Sequence, residues 1–443
     1  MNSKKLIILT LLISFFYGCK QEKRMIEDWT LVNEWADMTL YLSKNTPANS
    51  PTYASRAVGY IGLTMYESVV HGSPDYQSLA GQLNGLESLP LPELNKGYDW
   101  QIVFSAAQAE ILKGIYRQTS DENKLKIDSL ERSIESELNL LAVLNERSKT
   151  YGKSVAKAIY DWSTKDGGHR GYLHNFDKEI KHEEFPGSWK PPLFAQSFSH
   201  HPLHPHWGEN RTFLVQNTDL EPPEIIAFNS RKGSDYYNEF LAVFEKEQSL
   251  TQEEKEAALW WGDDPDDTFT PPGHSFYLTT LAVEERRPNL IEASASYAKV
   301  GISVADAFIN CWKWKYYFFS ERPNTFIPKY IDPEWESFWP DPPFPSFPSG
   351  HAIQAAAAAT SLEHSFTGVI SFIDSSHVGR KRDELRDVDF KPRLFNSFWD
   401  VALETADSRF YGGIHTPQDN RVGLIEGKRI ANNVNNLNWK RSE

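Results

Sequence analysis

The sequence predicts an all-α protein, arranged as two packed helical bundles with long proline-rich loops. Through most of the 443 residues, apolar side chains recur at the spacing of one helix face, and few stretches alternate as strands do. Two stretches rich in proline and aromatic residues, near 165–233 and 323–348, interrupt this pattern and are longer than ordinary connections. The hydrophobic content of 40% is sufficient for one large core or two ordinary ones.

The helical elements follow one another in three groups. Before the first loop region the pattern predicts helices over 27–45, 53–71, 98–118, 122–144 and 147–164. Between the loop regions it predicts helices over 234–247, 251–262, 274–285 and 290–320, and after the second over 351–365, 395–411 and 417–434. We therefore expect an N-terminal bundle with long loops over 19–233 and a C-terminal bundle over 234–443. The two should form one continuous structural unit.

Residues 1–18 have the pattern of an export signal. Two lysines precede an apolar stretch from Leu6 to Tyr17, which is too short to span a bilayer, and Gly18 stands before Cys19. This resembles a bacterial lipoprotein signal and implies acylation of Cys19, whereas the alternative is an ordinary secretory signal with an incidental cysteine. We expect an exported protein, lipid-anchored at Cys19 to the cell envelope (outer membrane or periplasm), or secreted.

The charge balance limits the possible partners. Sixty acidic residues against 46 basic ones give a net charge of −14, which argues against nucleic acid or an anionic membrane surface as the main partner. A lipid anchor is then the only membrane attachment that we expect. An anion site in this chain would have to be local and built from a few cationic groups.

One such site is indicated by FPSFPSGHAIQAAAAAT, which covers 344–360. A proline-containing loop ends at Ser349-Gly350-His351, and an alanine-rich helix begins there. Helix N-termini offer free backbone N–H groups and the positive end of the helix dipole, so they favour anions. This segment would supply the Ser349 hydroxyl, the Gly350 N–H and the His351 imidazole.

A second segment, KWKYYFFSERPN, carries two cations. Lys315 and Arg322 are seven residues apart, which on one helix places them on the same face. Pro323 predicts that this helix ends at Arg322. Taken alone, two cations on one face are usually solvated, so this segment is weak evidence by itself.

A third segment, DSRFYGGIHTPQDN, adds a cation and a histidine. Arg409 lies near the predicted C-terminus of one helix, and His415 precedes the start of the next. Thr416 at the N-cap and Asp419 at the third helical position make a good helix start. Together the three segments offer the groups needed to hold a tetrahedral or trigonal-bipyramidal oxyanion and to move protons beside it.

These residues resemble the three-part signature of the vanadium-dependent haloperoxidases and of the type-2 phosphatidic-acid and acid phosphatases. The matching positions are Lys315, Arg322 and Pro323; Pro348, Ser349, Gly350 and His351; Ser408, Arg409, His415 and Asp419. The spacing between the second and third parts is slightly long, which an insertion near 366–392 would explain. A secreted bacterial lipoprotein of this make-up looks most like the iodide- and bromide-oxidising members.

The resemblance implies a role for each matched position. His415 would bond vanadium, or become a phosphohistidine in a phosphatase, and Asp419 would orient it or simply cap the helix. His351 would act as acid and base, and Lys315 would also polarise bound peroxide. The groups implied to hold the oxygens of vanadate are Lys315, Arg322, Ser349, Gly350 and Arg409.

Two features favour vanadate over phosphate as the resident anion. The lipid phosphatases have several membrane spans, which this chain lacks, and the soluble acid phosphatases are short, whereas here a long stretch precedes the motif. We expect a peroxidase that oxidises halide, with iodide or bromide favoured, using hydrogen peroxide, to hypohalous acid. A small organic acceptor for the oxidised halogen is a further candidate partner. The alternative is an acid phosphatase with a phosphohistidine at His415.

Three further positions are implied by the same resemblance. The segment LWWGDDPDDTFTPPGHSF could bring Asp263 or, as we prefer, Asp264 to the His351 ring, although these acids could equally end a helix and bind water. Trp312 and Phe344 resemble residues of the halide pocket. A histidine at the position of Phe344 is typical of algal bromide enzymes.

Overall fold

The structure is a computed structural model that describes residues 26–176, 183–191, 201–265, 267–368 and 370–441. Within these ranges the chain forms 13 α-helices and one pair of short strands, which confirms the predicted all-α class. None of the described helices has both the length and the apolar character needed to cross a membrane. The predicted signal and Cys19 lie outside the described residues.

The helices follow the predicted order closely. The first five are α1 (Asp28–Asn45), α2 (Pro51–Val69), α3 (Trp100–Ile115), α4 (Asp121–Leu138) and α5 (Ala142–Ser163). The next five are α6 (Asp235–Glu247), α7 (Gln252–Trp260), α8 (Thr270–Arg286), α9 (Leu290–Phe318) and α10 (Pro323–Tyr330). The last three are α11 (Gly350–Ser365), α12 (Phe398–Tyr411) and α13 (Pro417–Asn435). Between α11 and α12, β1 (Phe372–Asp374) pairs antiparallel with β2 (Arg393–Phe395).

Two elements were not predicted. Helix α10 occupies the start of the stretch taken as a loop, because Pro323 stands at the first helical position, where its missing N–H costs no hydrogen bond. The β1–β2 pair lies at the segment interpreted as an insertion. Both elements are short, and neither changes the class of the fold.

Helix α9 is the central element, and almost all of its residues are buried. It packs closely on α2 because glycines replace side chains at the contact. A Cβ atom on Gly62 would lie 2.5 Å from the Tyr297 carbonyl oxygen, and one on Gly301 would lie 2.3 Å from that of Val58. Buried apolar residues from Leu31 to Trp439 form one continuous core around this helix.

Helices α11 and α13 also pack at very short distance. A Cβ atom on Gly427 would lie 2.1 Å from the Ile353 carbonyl oxygen, so only glycine fits there. The alanine run of α11 presents methyl groups to the same contact. At the helix starts, the Ser349 N–H donates to the Asp419 carbonyl oxygen at 3.1 Å. The close packing therefore brings the second and third motif segments side by side.

Candidate active site

A cavity of about 980 Å³ opens at the N-terminus of α11. Its wall includes Gly350, His351, Arg409 and His415, so parts of two motif segments line the same space. Three further matched polar groups are fully buried behind the wall: Lys315, Arg322 and Ser349. Three distant segments of the chain are thus gathered around one end of this cavity.

His415 is a neutral imidazole with a defined tautomer. Burial, followed by the nearby Arg322 charge, lowers the pKa of His415 to about 3. Its Nδ1 lies 2.8 Å from Oδ2 of Asp419. Because a carboxylate only accepts hydrogen bonds, the proton must be on Nδ1. Nε2 then carries a lone pair, as a metal ligand requires.

Asp419 orients His415 and also caps α13. Its carboxylate accepts hydrogen bonds from the hydroxyl of Ser346 at 2.5 Å and from the N–H of Thr416 at 3.3 Å. The Thr416 hydroxyl oxygen in turn accepts from the Asp419 backbone N–H, which completes a capping box. Burial acts to raise the pKa of Asp419, but the hydrogen bonds from His415 and Ser346 outweigh it and lower the pKa. Both contacts expected from the sequence are therefore present, and Ser346 is an addition to them.

Lys315 is held by backbone carbonyls. Its Nζ donates to Pro345 at 2.9 Å and Ser346 at 2.6 Å, and it lies 5.2 Å from the centre of the Phe344 ring. Burial lowers the pKa of Lys315 to about 7. Of its three N–H bonds, two are directed to these carbonyls, which leaves one for an anion.

Arg322 reaches the site from a different element than predicted. Helix α9 ends at Phe318, and Arg322 has an extended conformation just before α10. The prediction that Arg322 and Lys315 share one helix face was therefore wrong, because the left-handed Phe319 (φ 48°) ends the helix early. The two cations converge instead on the Pro345 carbonyl, which Arg322 Nη2 approaches at 3.4 Å.

Arg409, in the last turn of α12, has unused hydrogen-bonding capacity. Nη2 donates to the Ala258 carbonyl at 2.5 Å and Nε to the Ser408 hydroxyl at 3.1 Å. Nη1 is buried and has no partner. Burial lowers the pKa of Arg409 to about 10, so the side chain stays cationic at neutral pH.

His351 is the second group with an unused atom. Its Nε2 is buried and has no hydrogen-bond partner, while the ring donates to the backbone carbonyl of Gly262. Burial and the positive charge of Arg409 lower the pKa of His351 well below its ordinary value. The ring is therefore neutral, with its donor directed to Gly262 and a lone pair on Nε2.

Among the described residues, neither Asp263 nor Asp264 forms the predicted contact with the His351 ring. Asp264 lines the cavity beside Arg409 rather than pairing with His351; burial raises the pKa of Asp264 to about 7, and Arg409 partly offsets this. The Asp263 carboxylate is directed to two other histidines. The acceptor for the His351 ring is a backbone carbonyl, so no side chain in the sequence could have indicated it.

A buried cluster beside the cavity was missed by the sequence analysis. The Asp263 carboxylate lies 2.8 Å from Nδ1 of His274 and 2.8 Å from Nε2 of His377. His274 Nε2 lies 2.8 Å from Asp374, which also accepts from the Trp260 indole at 2.9 Å. The side chains of Asp263, His274 and His377 are close enough together to bind one metal ion, but the atoms that would bind it are already hydrogen-bonded to one another. The sequence feature that could have indicated this cluster is the segment near 366–392, which supplies Asp374 and His377.

The two residues expected in a halide pocket are adjacent on the cavity wall. The rings of Trp312 and Phe344 have their centres 5.0 Å apart, and the Trp312 indole donates to the Leu203 carbonyl at 3.1 Å. Phe308 also stacks on Trp312, with ring centres 5.2 Å apart. This part of the cavity is apolar and aromatic.

The arrangement fits an oxyanion. Arg409 Nη1 and His351 Nε2 are buried polar atoms without partners, and His415 offers a lone pair into the same cavity. Buried polar atoms are normally satisfied, so orphans that share one cavity indicate a missing ligand. A phosphate-like anion would give the Arg409 nitrogen an acceptor, so the cavity is a candidate anion site.

Comparisons with known proteins define the class further. Residues 295–441 match the family model of the VCPO second helical-bundle domain. The crystal structure of the first bacterial vanadium-dependent iodoperoxidase superposes with a TM-score of 0.80 at 28% identity, covering 96% of this chain and 99% of that one. Two structures of a bacterial vanadium-dependent chloroperoxidase are more distant. The apo-type gives 0.63 at 14% identity over 88% and 93% of the two chains, and the holo-type 0.63 at 16% over 90% and 92%.

No curated protein sequence matches the chain. The chloroperoxidase structures, at their low identity, show a shared fold. The match of residues 295–441 to the family model and the similarity to the iodoperoxidase confirm the resemblance of the three motifs to the vanadium haloperoxidases, which are peroxidase enzymes. Haloperoxidases of this group use vanadate, hydrogen peroxide and a halide.

Proposed function

We propose that this chain oxidises iodide or bromide with hydrogen peroxide to hypohalous acid, and that vanadate is held at the inner end of the cavity. The observation that carries this proposal is the pair of orphaned atoms, Arg409 Nη1 and His351 Nε2, beside the free lone pair of His415. The similarity to the bacterial iodoperoxidase supports the choice of halide.

The residues at and behind the cavity wall would have separate roles in binding vanadate. His415 would bond the vanadium through Nε2, and Asp419 would keep its ring in place. The oxygens would be held by Lys315, Arg322, Ser349, Gly350 and Arg409. When bound, vanadate supplies a Lewis-acidic centre that makes hydrogen peroxide susceptible to attack by halide.

His351 would handle the proton of the incoming peroxide. Its ring is neutral because burial and Arg409 lower the pKa of His351, and its N–H is engaged by Gly262. The lone pair on Nε2 can therefore accept a proton and return it to the departing oxygen. Lys315 keeps one N–H for the peroxide oxygen while two carbonyls hold the ammonium in place.

The aromatic wall would receive the halide. Trp312 and Phe344 form a polarisable, apolar surface next to the Lys315 charge, which suits a large and weakly hydrated anion such as iodide. The cavity volume of about 980 Å³ also exceeds what hydrogen peroxide and one halide require. The remaining space is sufficient for a small organic acceptor.

Phe344→His tests the halide pocket. The new imidazole can donate a hydrogen bond, which benefits bromide more than iodide because bromide has the higher charge density. We expect kcat/KM for bromide to rise relative to that for iodide, as steady-state kinetics with both halides would show. Phe176→His places the same side chain elsewhere on the cavity wall and should leave the ratio unchanged. A ratio that moves equally in both variants would remove the specific role of Phe344.

Reconstitution tests the proposed activity. Purified apoprotein should gain iodide- and bromide-oxidising activity with orthovanadate and hydrogen peroxide, and inorganic phosphate should compete with vanadate. His415→Ala should abolish the activity. If the protein instead hydrolyses p-nitrophenyl phosphate efficiently and vanadate only inhibits it, the acid phosphatase alternative with a phosphohistidine at His415 is correct.

We also propose that the mature protein is exported and anchored through a lipid on Cys19. The support is the Gly18-Cys19 pair after a short apolar stretch. Labelled fatty acid should enter the wild-type protein and be absent from Cys19→Ala. Incorporation into both would contradict the assignment.

A further inference from the structure

The cluster around Asp263 is fully buried and hydrogen-bonded from end to end. His274 lies between two carboxylates, with Nδ1 on Asp263 and Nε2 on Asp374, each at 2.8 Å. His377 donates to the remaining oxygen of Asp263 at 2.8 Å, and Trp260 adds an indole N–H to Asp374. All these side chains are at most 2% exposed.

The histidine rings are fixed by packing as well as by hydrogen bonds. His274 stacks on Trp261 with ring centres 4.5 Å apart, and His377 stacks on Phe269 at 5.7 Å. Burial acts to lower the pKa of His274, but the two carboxylates outweigh it and raise the pKa to about 10. His274 is therefore a cation between two anions, and the charge of Asp263 is compensated without any group from the cavity.

Asp263 has an unusual backbone. Its φ is 47°, in the left-handed region that residues other than glycine rarely adopt. Such conformations persist when the surroundings hold them in place. Here the two histidines hold both oxygens of the side chain. Consequently the peptide units before and after Asp263 are held in one orientation.

Those two neighbours reach the active site. Gly262, on one side of Asp263, accepts the hydrogen bond of the His351 ring through its carbonyl. Asp264, on the other side, lies beside Arg409 on the cavity wall. The turn at Asp263 thus fixes the position of the carbonyl that accepts from His351. It also fixes the position of the carboxylate that lies beside Arg409.

We propose that the buried cluster of Asp263, His274, Asp374 and His377 positions His351 and Arg409 for vanadate by locking the Gly262–Asp264 turn. This rests on the proposed function. His274 and His377 are positioning residues that act through Asp263, and neither lines the cavity. The segment that begins with β1 therefore contributes to the active site, because it supplies Asp374 and His377.

A pair of variants at His377 tests the proposal. His377→Gln keeps an N–H donor close to the position of Nε2, whereas His377→Ala removes it. We expect His377→Ala to weaken orthovanadate binding to the apoprotein by roughly tenfold or more, measured by titration calorimetry. We also expect a lower kcat for iodide oxidation with KM for iodide unchanged. His377→Gln should restore most of both quantities.

Asp166→Asn is the matched control. It breaks another buried, charged hydrogen bond, that between Asp166 and Arg56 at 2.6 Å, which belongs to no part of the cavity wall. It should lower the Tm and leave the orthovanadate Kd unchanged. If His377→Ala behaves in the same way, or if His377→Gln is as defective as His377→Ala, the cluster does not position the site.

Two other results would have distinct meanings. A stoichiometric divalent metal in the purified wild-type protein, lost in His377→Ala, would make the cluster a metal site and overturn the proposal. Failure of the wild-type protein to bind orthovanadate at all would overturn the proposed function, and this inference with it. Orthovanadate binding by the wild-type protein and by His377→Gln, with loss confined to His377→Ala, supports both the proposed function and this inference.

Discussion

At the scale of single residues, the active site combines tightly engaged side chains with a few atoms left free. Asp419, Ser346 and His415 satisfy one another, whereas Arg409 Nη1 and His351 Nε2 have no partner. Leaving a buried polar atom unsatisfied costs about 1–3 kcal/mol. Such a cost is typical of active sites, where stability is given up for ligand binding.

Arg409→Lys tests the orphaned nitrogen. Lysine keeps the charge but lacks the planar fork that directs Nη1 while Nη2 binds the Ala258 carbonyl. We expect the orthovanadate Kd to rise by roughly tenfold to a hundredfold, measured by calorimetry. Arg429→Lys, at a partly exposed arginine of α13, is the control and should not change the Kd. An unchanged Kd in Arg409→Lys would contradict the role of Nη1.

Anion binding should depend on pH through two groups. Burial lowers the pKa of Lys315 to about 7 and raises that of Asp264 to about 7. As the pH rises through this value, Lys315 loses positive charge and Asp264 gains negative charge, so both changes weaken anion binding. Sulfate is a suitable probe because its own charge is constant near neutral pH.

Sulfate affinity should be nearly constant below about pH 6 and should fall above about pH 7. The fall should be up to about tenfold per pH unit for each of the two groups, Lys315 and Asp264, that must take up a proton before sulfate binds. Lys315→Met removes one of the two protons, so the decline should be shallower although the affinity is lower throughout. The same slope in both proteins would show that Lys315 does not titrate in this range.

The residues that bear the motif chemistry could be identified from the sequence because their types and order are distinctive. The partner of His351 could not, since it is the carbonyl of Gly262 and every residue has one. Asp264 was assigned to His351 from its place in the chain, whereas it lies beside Arg409. His377 and Asp374 were missed because they belong to a segment that interrupts the expected spacing.

At the scale of elements, the contact between α11 and α13 brings two motif segments together. The alanines of α11 and the glycines of α13 keep the helices close, and the Ser349–Asp419 hydrogen bond joins their first turns. Any increase in their separation should move His351 relative to His415.

Gly427→Ala tests this contact. The added methyl would lie 2.1 Å from the Ile353 carbonyl oxygen, so the helices must separate. We expect the free energy of unfolding to fall by about 1–3 kcal/mol in urea titrations and orthovanadate binding to weaken. Gly97→Ala is the control, because nothing lies within 4 Å of a Cβ atom there. Equal stabilities of the two variants would contradict the tight contact.

The helices themselves were predictable because their apolar spacing is regular. The end of α9 was not, since Phe319 adopts a left-handed conformation that its residue type does not suggest. Helix α10 was also missed, because Pro323 and Pro328 resemble a loop in the sequence, although Pro323 occupies the first helical position.

At the scale of the whole molecule, the cavity joins distant parts of the chain. Its wall includes Asn49 and Pro51 at the start of α2 as well as His351 and His415 of the C-terminal part. The continuous core links the same regions. The chain has a net charge of −14, so anion binding at this cavity depends on local groups rather than on the overall field.

Thermal unfolding should reflect this continuity. We expect one cooperative transition in calorimetry, shifted upward by orthovanadate as the ligand stabilises the folded chain by about 2.7 kcal/mol at a concentration of 100 times Kd. Two transitions, of which vanadate moves only one, would show that the two parts unfold separately.

The central claim is that His415, Arg409 and the start of α11 hold vanadate together. A crystal structure of the wild-type protein with orthovanadate tests it most directly. The account predicts a single vanadium bonded to Nε2 of His415, with oxygens within hydrogen-bonding distance of Arg409 Nη1 and the Gly350 N–H. Vanadate bound elsewhere, or a bound anion that leaves Arg409 Nη1 without a partner, would contradict it.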